Sequence, residues 1–221
     1  LMDILMPVMD GVVATAKIRQ AERENPLRGQ VPIVAYTSLD LGTDTKSIVI
    51  AGDSAGGGLT LSTLLALRDD GDPLPAGAVV ISPFTDFSFG GESRFANARR
   101  DPMLSTKSMK MMNRLYLDDA LHDNPLVSPV FGDFRGLPPV LAHVGSTEVL
   151  LDDTRRVGKR AIAQGVDFRV VVWDQVPHVW HMAAFLPESK AAIAQIGEFM
   201  AECTRPAATD AKRRTRARKR A

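Results

Sequence analysis

Short apolar runs alternate with longer segments of mixed polarity along most of this chain. Runs rich in valine, isoleucine and alanine are typical of buried strands, and they predict strands at residues 2–5, 31–37, 48–51, 140–144 and 168–173. Intervening segments predict helices near residues 10–24, 59–67, 154–164 and 191–203. This alternation of strand and helix is typical of an α/β protein with a mostly parallel sheet and flanking helices.

One predicted strand-to-helix junction carries a candidate nucleophile. The segment Gly52-Asp53-Ser54-Ala55-Gly56 follows an apolar strand, precedes a helical run and fits the pattern G-x-S-x-G. In a nucleophile elbow the serine lies on a sharp, strained turn, so only small residues fit beside it. We therefore interpret Ser54 as a nucleophile, in preference to a glycine turn without chemistry.

A serine nucleophile needs a base, and in this pattern the order along the chain is serine, acid, histidine. His178 lies on a loop after the last predicted strand, so we predict it as the base, with His181 as the alternative. His143 falls inside a predicted strand, which favours a core or strand-edge position, and His122 falls in a polar turn. We expect His181 to lie on the helix that follows the loop.

The acid is expected after the preceding strand, at residues 140–144. Glu148 is the first acid beyond that strand, which directs its carboxylate to the sheet edge that carries the nucleophile. Asp152 and Asp153 follow one turn later and are the alternatives, although acids at a helix start commonly interact with its N-terminus. We predict that Glu148 orients His178 and stabilises its imidazolium form.

Beyond the elbow, ordered stretches between about residues 41 and 201 resemble the hormone-sensitive-lipase-like esterases, also called family IV bacterial lipolytic enzymes. The matching stretches are Gly52-Asp-Ser-Ala-Gly-Gly57, Ile81-Ser-Pro-Phe-Thr-Asp86, Asp101-Pro-Met-Leu104, Asn124-Pro-Leu-Val-Ser-Pro129, Gly136-Leu-Pro-Pro-Val140, Val144-Gly-Ser-Thr-Glu-Val-Leu-Leu-Asp-Asp153 and Pro177-His-Val-Trp180. The resemblance implies an α/β-hydrolase fold and hydrolysis of small carboxylic esters without a metal or organic cofactor. It carries the family's catalytic triad onto Ser54, Glu148 and His178, and many relatives have aspartate where this chain has Glu148.

The sequence departs from this family at the oxyanion hole. Family members have a His-Gly-Gly-Gly loop upstream of the elbow whose backbone amides form most of that hole, and no such sequence precedes Ser54 here. The amide of Ala55 remains as one donor, because the residue after the nucleophile contributes one. Loss of a single donor typically costs about 10²–10³-fold in rate. We therefore expect impaired ester hydrolysis, the alternative being an inactive hydrolase core.

Residues 1–38 resemble part of a different family, the response-regulator receiver domains. The similar stretches are Leu1-Met-Asp-Ile-Leu-Met-Pro-Val-Met-Asp-Gly11, the helical run after it and Val31-Pro-Ile-Val-Ala-Tyr-Thr-Ser38. By this resemblance Asp3 matches the phospho-accepting aspartate and Thr37 the switch hydroxyl. The acidic pair and the lysine that receiver chemistry also needs are absent, so we expect Asp3 to be non-functional. We interpret the chain as a fusion of two gene fragments that join near residues 39–41.

Composition adds limits on compartment and partners. The 221 residues include one cysteine, Cys203, which excludes an internal disulfide framework and favours a cytoplasmic location. No signal-peptide pattern opens the sequence, and no apolar run approaches the ~20 residues that a membrane helix needs. Seven of the 27 basic residues lie in residues 211–221. The net charge of +1 is therefore the sum of a basic tail and an acidic remainder of the chain. We expect residues 205–221 to form a disordered, solvated tail and not a nucleic-acid-binding segment.

Residues 84–126 correspond to the part of the resembled esterases that forms a lid and an acyl pocket. One helix there is predicted to carry an apolar cluster of Met109, Met111, Met112, Leu115 and Leu117. An exposed apolar surface of this kind favours association into a homo-oligomer. The predicted organisation is a receiver-like β-α-β fragment at residues 1–38, a hydrolase core at residues 41–204 that is incomplete on its N-terminal side, and the basic tail.

Overall fold

A computed structural model of the chain describes residues 2–3, 35–36, 44–116 and 122–205. The chain divides into two units, one formed by residues 1–43 and the other by residues 44–221. Except for Arg205, the predicted basic tail lies outside the described residues.

Two short strands are described in the first unit. Strand β1 (Met2–Asp3) pairs in parallel with strand β2 (Ala35–Tyr36), and Met2 lies opposite Ala35. Both strands fall within segments that the sequence predicts as strands, whereas the predicted helix between them lies outside the described residues. The receiver resemblance, the role of Asp3 and the join near residues 39–41 stay predictions.

The second unit is built on a parallel sheet of four strands. In order across the sheet, they are β3 (Val49–Asp53), β4 (Gly77–Ile81), β5 (Val140–Gly145) and β6 (Phe168–Trp173). Strand β4 adds one strand to those predicted, and four of its five residues are buried, as expected for a strand covered on both faces. Because the strands are parallel, their carboxyl ends lie at the same edge of the sheet.

Five helices and three short 3₁₀ turns connect and cover the strands among the described residues. The helices are α1 (Ala55–Asp70), α2 (Ser93–Ala96), α3 (Thr106–Tyr116), α4 (Leu151–Ala163) and α5 (Pro187–Cys203). The 3₁₀ turns are Thr45–Ser47, Pro129–Phe131 and Trp180–Met182.

Apolar cores lie on both faces of the four-stranded sheet. On one face, Leu64 of α1 and Val157 of α4 belong to a buried cluster with Val80 and Ala142 of the central strands. On the other face, Phe199 of α5 packs with the preceding strand residues, Val79 and Leu141. The strand residues divide in this way because successive side chains point to opposite faces. The resulting helix–sheet–helix layers confirm the predicted α/β class.

The predicted methionine cluster is only partly correct. Met109 of α3 is buried, with 4% of its surface exposed, and it packs near Phe84. Met111 is 61% exposed, so it does not pack with Met109 in one buried cluster. It lies two residues further along the helix, which turns it to the opposite side. The side chains of the remaining three lie outside the described residues.

Glycine lets the start of α1 lie close to the segment that follows β4. A Cβ atom at Gly58 would clash with the backbone carbonyl oxygen of Phe84. That contact sets the distance between the first turn of α1 and the chain after β4, and both segments border the carboxyl edge of the sheet.

We therefore expect Gly58→Ala to destabilise the protein by about 1–3 kcal/mol, because a backbone atom must move to make room for the methyl group. Gly197→Ala is the matched control, since nothing lies within 4 Å of a Cβ atom at that helical glycine. The control should raise the free energy of unfolding by about 0.5–1 kcal/mol through helix propensity. Urea unfolding curves of both variants measure the difference, and equal effects of the two substitutions would contradict the steric explanation.

Candidate active site

Ser54 lies on the turn between β3 and α1 in an unusual backbone conformation, with φ of 53° and ψ of −120°. Positive φ is strained for a residue other than glycine. Backbone hydrogen bonds hold the turn: the Ser54 N–H donates to the Ile81 carbonyl at 2.8 Å, and the Ser54 carbonyl accepts from Phe84 N at 2.9 Å. A side chain at Gly52 would clash with the Gly56 carbonyl, which explains why small residues flank the serine.

The structure brings together the predicted nucleophile, base and acid. The Nε2 atom of His178 lies 3.0 Å from the Ser54 Oγ atom, and its Nδ1 atom lies 2.8 Å from the Glu148 Oε2 atom. Glu148 is fully buried, and 5% of the surface of His178 is exposed. The two nitrogens of one imidazole therefore join the serine hydroxyl to a carboxylate that water does not reach.

Ser82 also contacts this group of residues, although no role is predicted for it from the sequence. Its hydroxyl donates to the Glu148 Oε1 atom at 2.7 Å and accepts from the backbone N–H of Val179 at 3.3 Å. The N–H of Gly145 donates to the same carboxylate oxygen at 2.6 Å. Ser82 is completely buried and has a φ of 47°. The sequence signal that could have identified it is its position directly after β4, within the motif Ile81-Ser-Pro-Phe-Thr-Asp86.

The alternative acids serve another part of the structure. The Oδ2 atom of Asp153 accepts from the backbone N–H groups of Thr85 and Asp86 at 2.9 and 3.0 Å, and from Arg94 at 2.7 Å. Burial nevertheless raises the pKa of Asp153 to about 6. Asp152 lies in the first turn of α4, and its carboxylate accepts from a backbone N–H at the start of α2 at 2.8 Å. Both acids thus tie α4 to the segment after β4.

The other histidines occupy different places. His143 is completely buried in β5, as predicted, and its Nδ1 atom lies 3.0 Å from the Nε2 atom of His181. The prediction that His181 lies on the following helix is wrong, because it lies in the 3₁₀ turn Trp180–Met182, before α5 begins at Pro187. His122 lies in a turn, as predicted.

Burial lowers the pKa values of both imidazoles in the His143–His181 pair. It lowers the pKa of His143 to about 4, and the nearby Gln195 amide offsets part of this effect without reaching hydrogen-bond geometry. Burial and the neighbouring His143 lower the pKa of His181 to about 4 as well. Both imidazoles are therefore neutral at neutral pH.

The backbone N–H groups at the start of α1, directly after Ser54, differ in what they bind. The N–H groups of Gly57 and Gly58 donate to the Ser54 carbonyl at 3.1 and 3.2 Å. Among the hydrogen bonds of the described residues, none has the N–H of Ala55 or Gly56 as its donor. The first N–H groups of a helix have no partner within it and favour negative charge.

A cavity of about 500 Å³ opens next to these amides. Residues from α1, from the segment after β4 and from the chain before the Pro129–Phe131 turn line it, among them Ala55, Gly56, Leu59, Phe84, Phe87 and Val127. Its walls are mainly apolar, which is typical of sites that bind small organic molecules.

No group of three or more His, Cys, Asp or Glu side chains among the described residues is arranged to hold a metal ion. In the same residues, no helix has the length and apolar character needed to cross a membrane.

A serine on a strand-to-helix turn, joined through histidine to a buried carboxylate at the carboxyl edge of a parallel sheet, is typical of the α/β hydrolases. A family model described as "alpha/beta hydrolase fold" matches residues 5–182. The chain therefore belongs to the α/β-hydrolase family, as predicted. The match begins within the first unit, in the segment that resembles a receiver domain.

The chain is similar to individual proteins that are named as an acetyl-hydrolase and as esterases. The chain is 39% identical over 195 residues to an acetyl-hydrolase of Streptomyces hygroscopicus, covering 87% of this chain and 65% of that protein. Its structure is similar to that of an esterase from the bacterial hormone-sensitive lipase family, with a TM-score of 0.72 and 40% identity over 92% of this chain and 62% of the other. It is also similar to EstE5 soaked with p-nitrophenyl butyrate, with a TM-score of 0.71 and 38% identity over 89% of this chain and 60% of that one. The chain thus spans less than two thirds of the length of these relatives.

The lowered pKa values of His143 and His181 predict a loss of stability in acid. An unfolded chain has imidazoles with pKa values near 6.5, so between pH 6.5 and 4 it binds protons that the folded protein does not. The contribution of these two neutral imidazoles to the free energy of unfolding is therefore fully present above pH 6.5. It is lost as the pH falls towards 4, and it is on the order of a few kcal/mol for the pair.

A double variant, His143→Leu with His181→Leu, isolates this effect. The raised pKa of Asp153 acts in the opposite direction in the same pH range, but it cancels in the difference between variant and wild type. Urea unfolding at pH 7, 6, 5 and 4 should show that the difference moves in favour of the variant as the pH falls. A difference that does not change with pH would contradict the assignment.

Proposed function

We propose that this protein hydrolyses small carboxylic esters through a Ser54–His178–Glu148 triad. The observation that carries the proposal is the unbroken series of hydrogen bonds from the Ser54 hydroxyl, through both nitrogens of His178, to a buried carboxylate. A histidine between a serine and a carboxylate activates the serine as a nucleophile.

The geometry supports a two-step mechanism. The Ser54 oxygen attacks the ester carbonyl while His178 Nε2 takes its proton, and a tetrahedral intermediate forms. His178 then gives the proton to the departing alcohol, which leaves an acyl group on Ser54. Water, deprotonated by His178, then attacks this acyl-enzyme, the bond between the acyl group and the Ser54 oxygen breaks, and His178 returns the proton to that oxygen as the acid is released. Throughout, Glu148 holds the Nδ1–H side of the ring, so that Nε2 faces the serine.

The amides at the start of α1 stabilise the developing oxyanion. Ala55 N–H is the predicted donor, and the unpaired N–H of Gly56 is the next one in the same turn. Donors that point at the oxyanion before the reaction lower the barrier without any reorganisation. The neighbouring apolar cavity receives a short acyl chain or alcohol group.

The names of the relatives favour the same substrate class. Acetyl-hydrolase and esterase describe ester or acetyl cleavage, and the EstE5 crystal was soaked with p-nitrophenyl butyrate. We extend this class, short-chain esters, to the present chain.

The alternative is a weakly active or inactive hydrolase core. One observation favours it: residues 1–53 contain no His-Gly-Gly-Gly run, and in the resembled family that run forms most of the oxyanion hole. Under this alternative the three side chains keep their arrangement, but the tetrahedral intermediate lacks donors, with a loss of about 10²–10³-fold for each one.

Hydrolysis of p-nitrophenyl acetate and butyrate separates the two candidates. We expect the wild-type chain to release p-nitrophenol well above background and Ser54→Ala to fall to background, because the alanine variant has no nucleophile. Ser47→Ala, which removes an exposed hydroxyl in the 3₁₀ turn before β3, is the control and should keep wild-type rates. If wild type and Ser54→Ala both give background rates, the inactive core is the better description.

Ser82 should matter through the carboxylate that it holds. Ser82→Ala leaves Glu148 Oε1 with the Gly145 N–H and frees the backbone N–H of Val179. Because hydrogen bonds to charged groups contribute about 1.5–3 kcal/mol, we expect kcat to fall by roughly 10- to 100-fold with little change in KM. Steady-state kinetics with p-nitrophenyl butyrate measure this. Glu148→Ala should lose more, and an unchanged kcat in Ser82→Ala would show that the serine has no part in holding the acid.

A further inference from the structure

A cluster of aromatic and polar side chains lies beside the triad, between the sheet and α5. It consists of His143, Trp173, Trp180, His181 and Gln195, and we call it the imidazole cluster. The rings of Trp180 and His181 are 4.1 Å apart between centroids, and those of His143 and Trp173 are 5.9 Å apart. The mechanism proposed above uses none of these residues.

The cluster contains an unusual concentration of buried polar atoms without partners. The protein offers no hydrogen-bond partner to His143 Nε2, His181 Nδ1, Trp173 Nε1, Trp180 Nε1 or Gln195 Oε1, which are five of the eight such side-chain atoms among the described residues. Burying an unpaired polar group lowers stability, whereas apolar side chains of similar shape carry no such penalty. Stability alone therefore does not explain why two histidines occupy this place.

The His143–His181 hydrogen bond lies at the junction of the elements that hold the triad. The backbone carbonyl of His143 accepts from the N–H of Ser82 at 2.7 Å, and Ser82 in turn donates to Glu148. The side chain of His143 contacts His181, which is three residues beyond His178. One residue of β5 thus contacts both the support of the acid and the loop of the base.

That loop needs support because its backbone is strained. Val179, next to His178, has a φ of 51°, which is a rare conformation for a β-branched residue. Such a conformation persists only where its surroundings hold it. The contacts that hold it include the Val179 N–H to Ser82, the Ser189 hydroxyl to the Trp180 carbonyl, and the imidazole of His181 to that of His143.

We propose that the His143–His181 pair positions the loop that carries His178, and that the pair is kept for catalysis at the expense of stability. One imidazole donates its N–H and the other accepts, so a single hydrogen bond anchors the loop to β5. The anchor keeps His178 Nε2 within hydrogen-bond distance of Ser54. His143 and His181 are positioning residues, since neither forms a hydrogen bond with the hydroxyl of Ser54 or with the carboxylate of Glu148.

The inference rests on the proposed ester hydrolysis, and three variants test it. The double variant His143→Leu with His181→Leu removes the hydrogen bond together with both polar rings. His181→Gln keeps a donor and an acceptor near the place of Nε2. Met182→Ala changes the neighbouring residue of the same turn, whose side chain is 82% exposed, and serves as the control.

Thermal unfolding and steady-state kinetics with p-nitrophenyl butyrate are measured together at pH 7. We expect the double-leucine variant to keep or raise its Tm while kcat falls at least 10-fold and KM stays within about twofold. His181→Gln should recover most of kcat, and Met182→Ala should match the wild type. A parallel loss of Tm and kcat without recovery in His181→Gln would show a purely structural role and overturn the proposal, as would an unchanged kcat in the double variant.

A spectroscopic readout keeps the inference separate from the proposed function. The proton between His178 Nδ1 and Glu148 gives a far-downfield ¹H NMR signal that is visible without turnover. We expect this signal in the wild type and in His181→Gln, and its loss through exchange in the double-leucine variant. If the wild type hydrolyses no ester but the signal follows this pattern, the proposed function fails and the positioning role stands. A signal that persists in the double variant overturns the positioning role.

Discussion

The fully buried carboxylate of Glu148 is the constraint on which the rest of the site depends. A carboxylate removed from water is costly unless hydrogen bonds replace its hydration. Here the replacements are the Gly145 N–H and the Ser82 hydroxyl on one oxygen and His178 Nδ1 on the other. These groups come from the end of β5, the end of β4 and the loop after β6. The parallel sheet brings the ends of these three neighbouring strands to one edge, where their groups meet at one carboxylate.

The backbone around the site is strained at three positions, which lie after β3, after β4 and in the loop after β6. Ser54, Ser82 and Val179 all have φ near +50° although none is glycine. Each such residue costs on the order of 1–3 kcal/mol, and it is tolerated where hydrogen bonds fix it from several sides. Apolar packing on both faces of the sheet stabilises the fold and offsets the cost of this backbone strain. The site thus consists of strained residues at the edge of a well-packed sheet. We expect substitutions that relieve this strain to raise stability and to lower activity.

The sequence was sufficient for the parts that depend on local patterns. The glycines around Ser54 indicated a tight turn, the chain order pointed to Glu148 and His178, and the structure brings these three together. Ser82 was missed because its place after β4 indicates a position at the sheet edge but does not identify its partner, 66 residues away. The predicted position of His181 was wrong for a related reason. Its contact with β5 decides where it lies, and the helix propensity of its sequence does not.

The most direct test of the central claim is covalent labelling of the intact chain with a fluorophosphonate, followed by peptide mapping. Such a reagent reacts with a serine only when a base activates it, and it does not require a complete substrate pocket. We expect one label per chain, on Ser54, formed at least 100-fold more slowly in His178→Ala. No label, a label on another residue, or the same rate without His178 would contradict the claim that Ser54, His178 and Glu148 act as one catalytic unit.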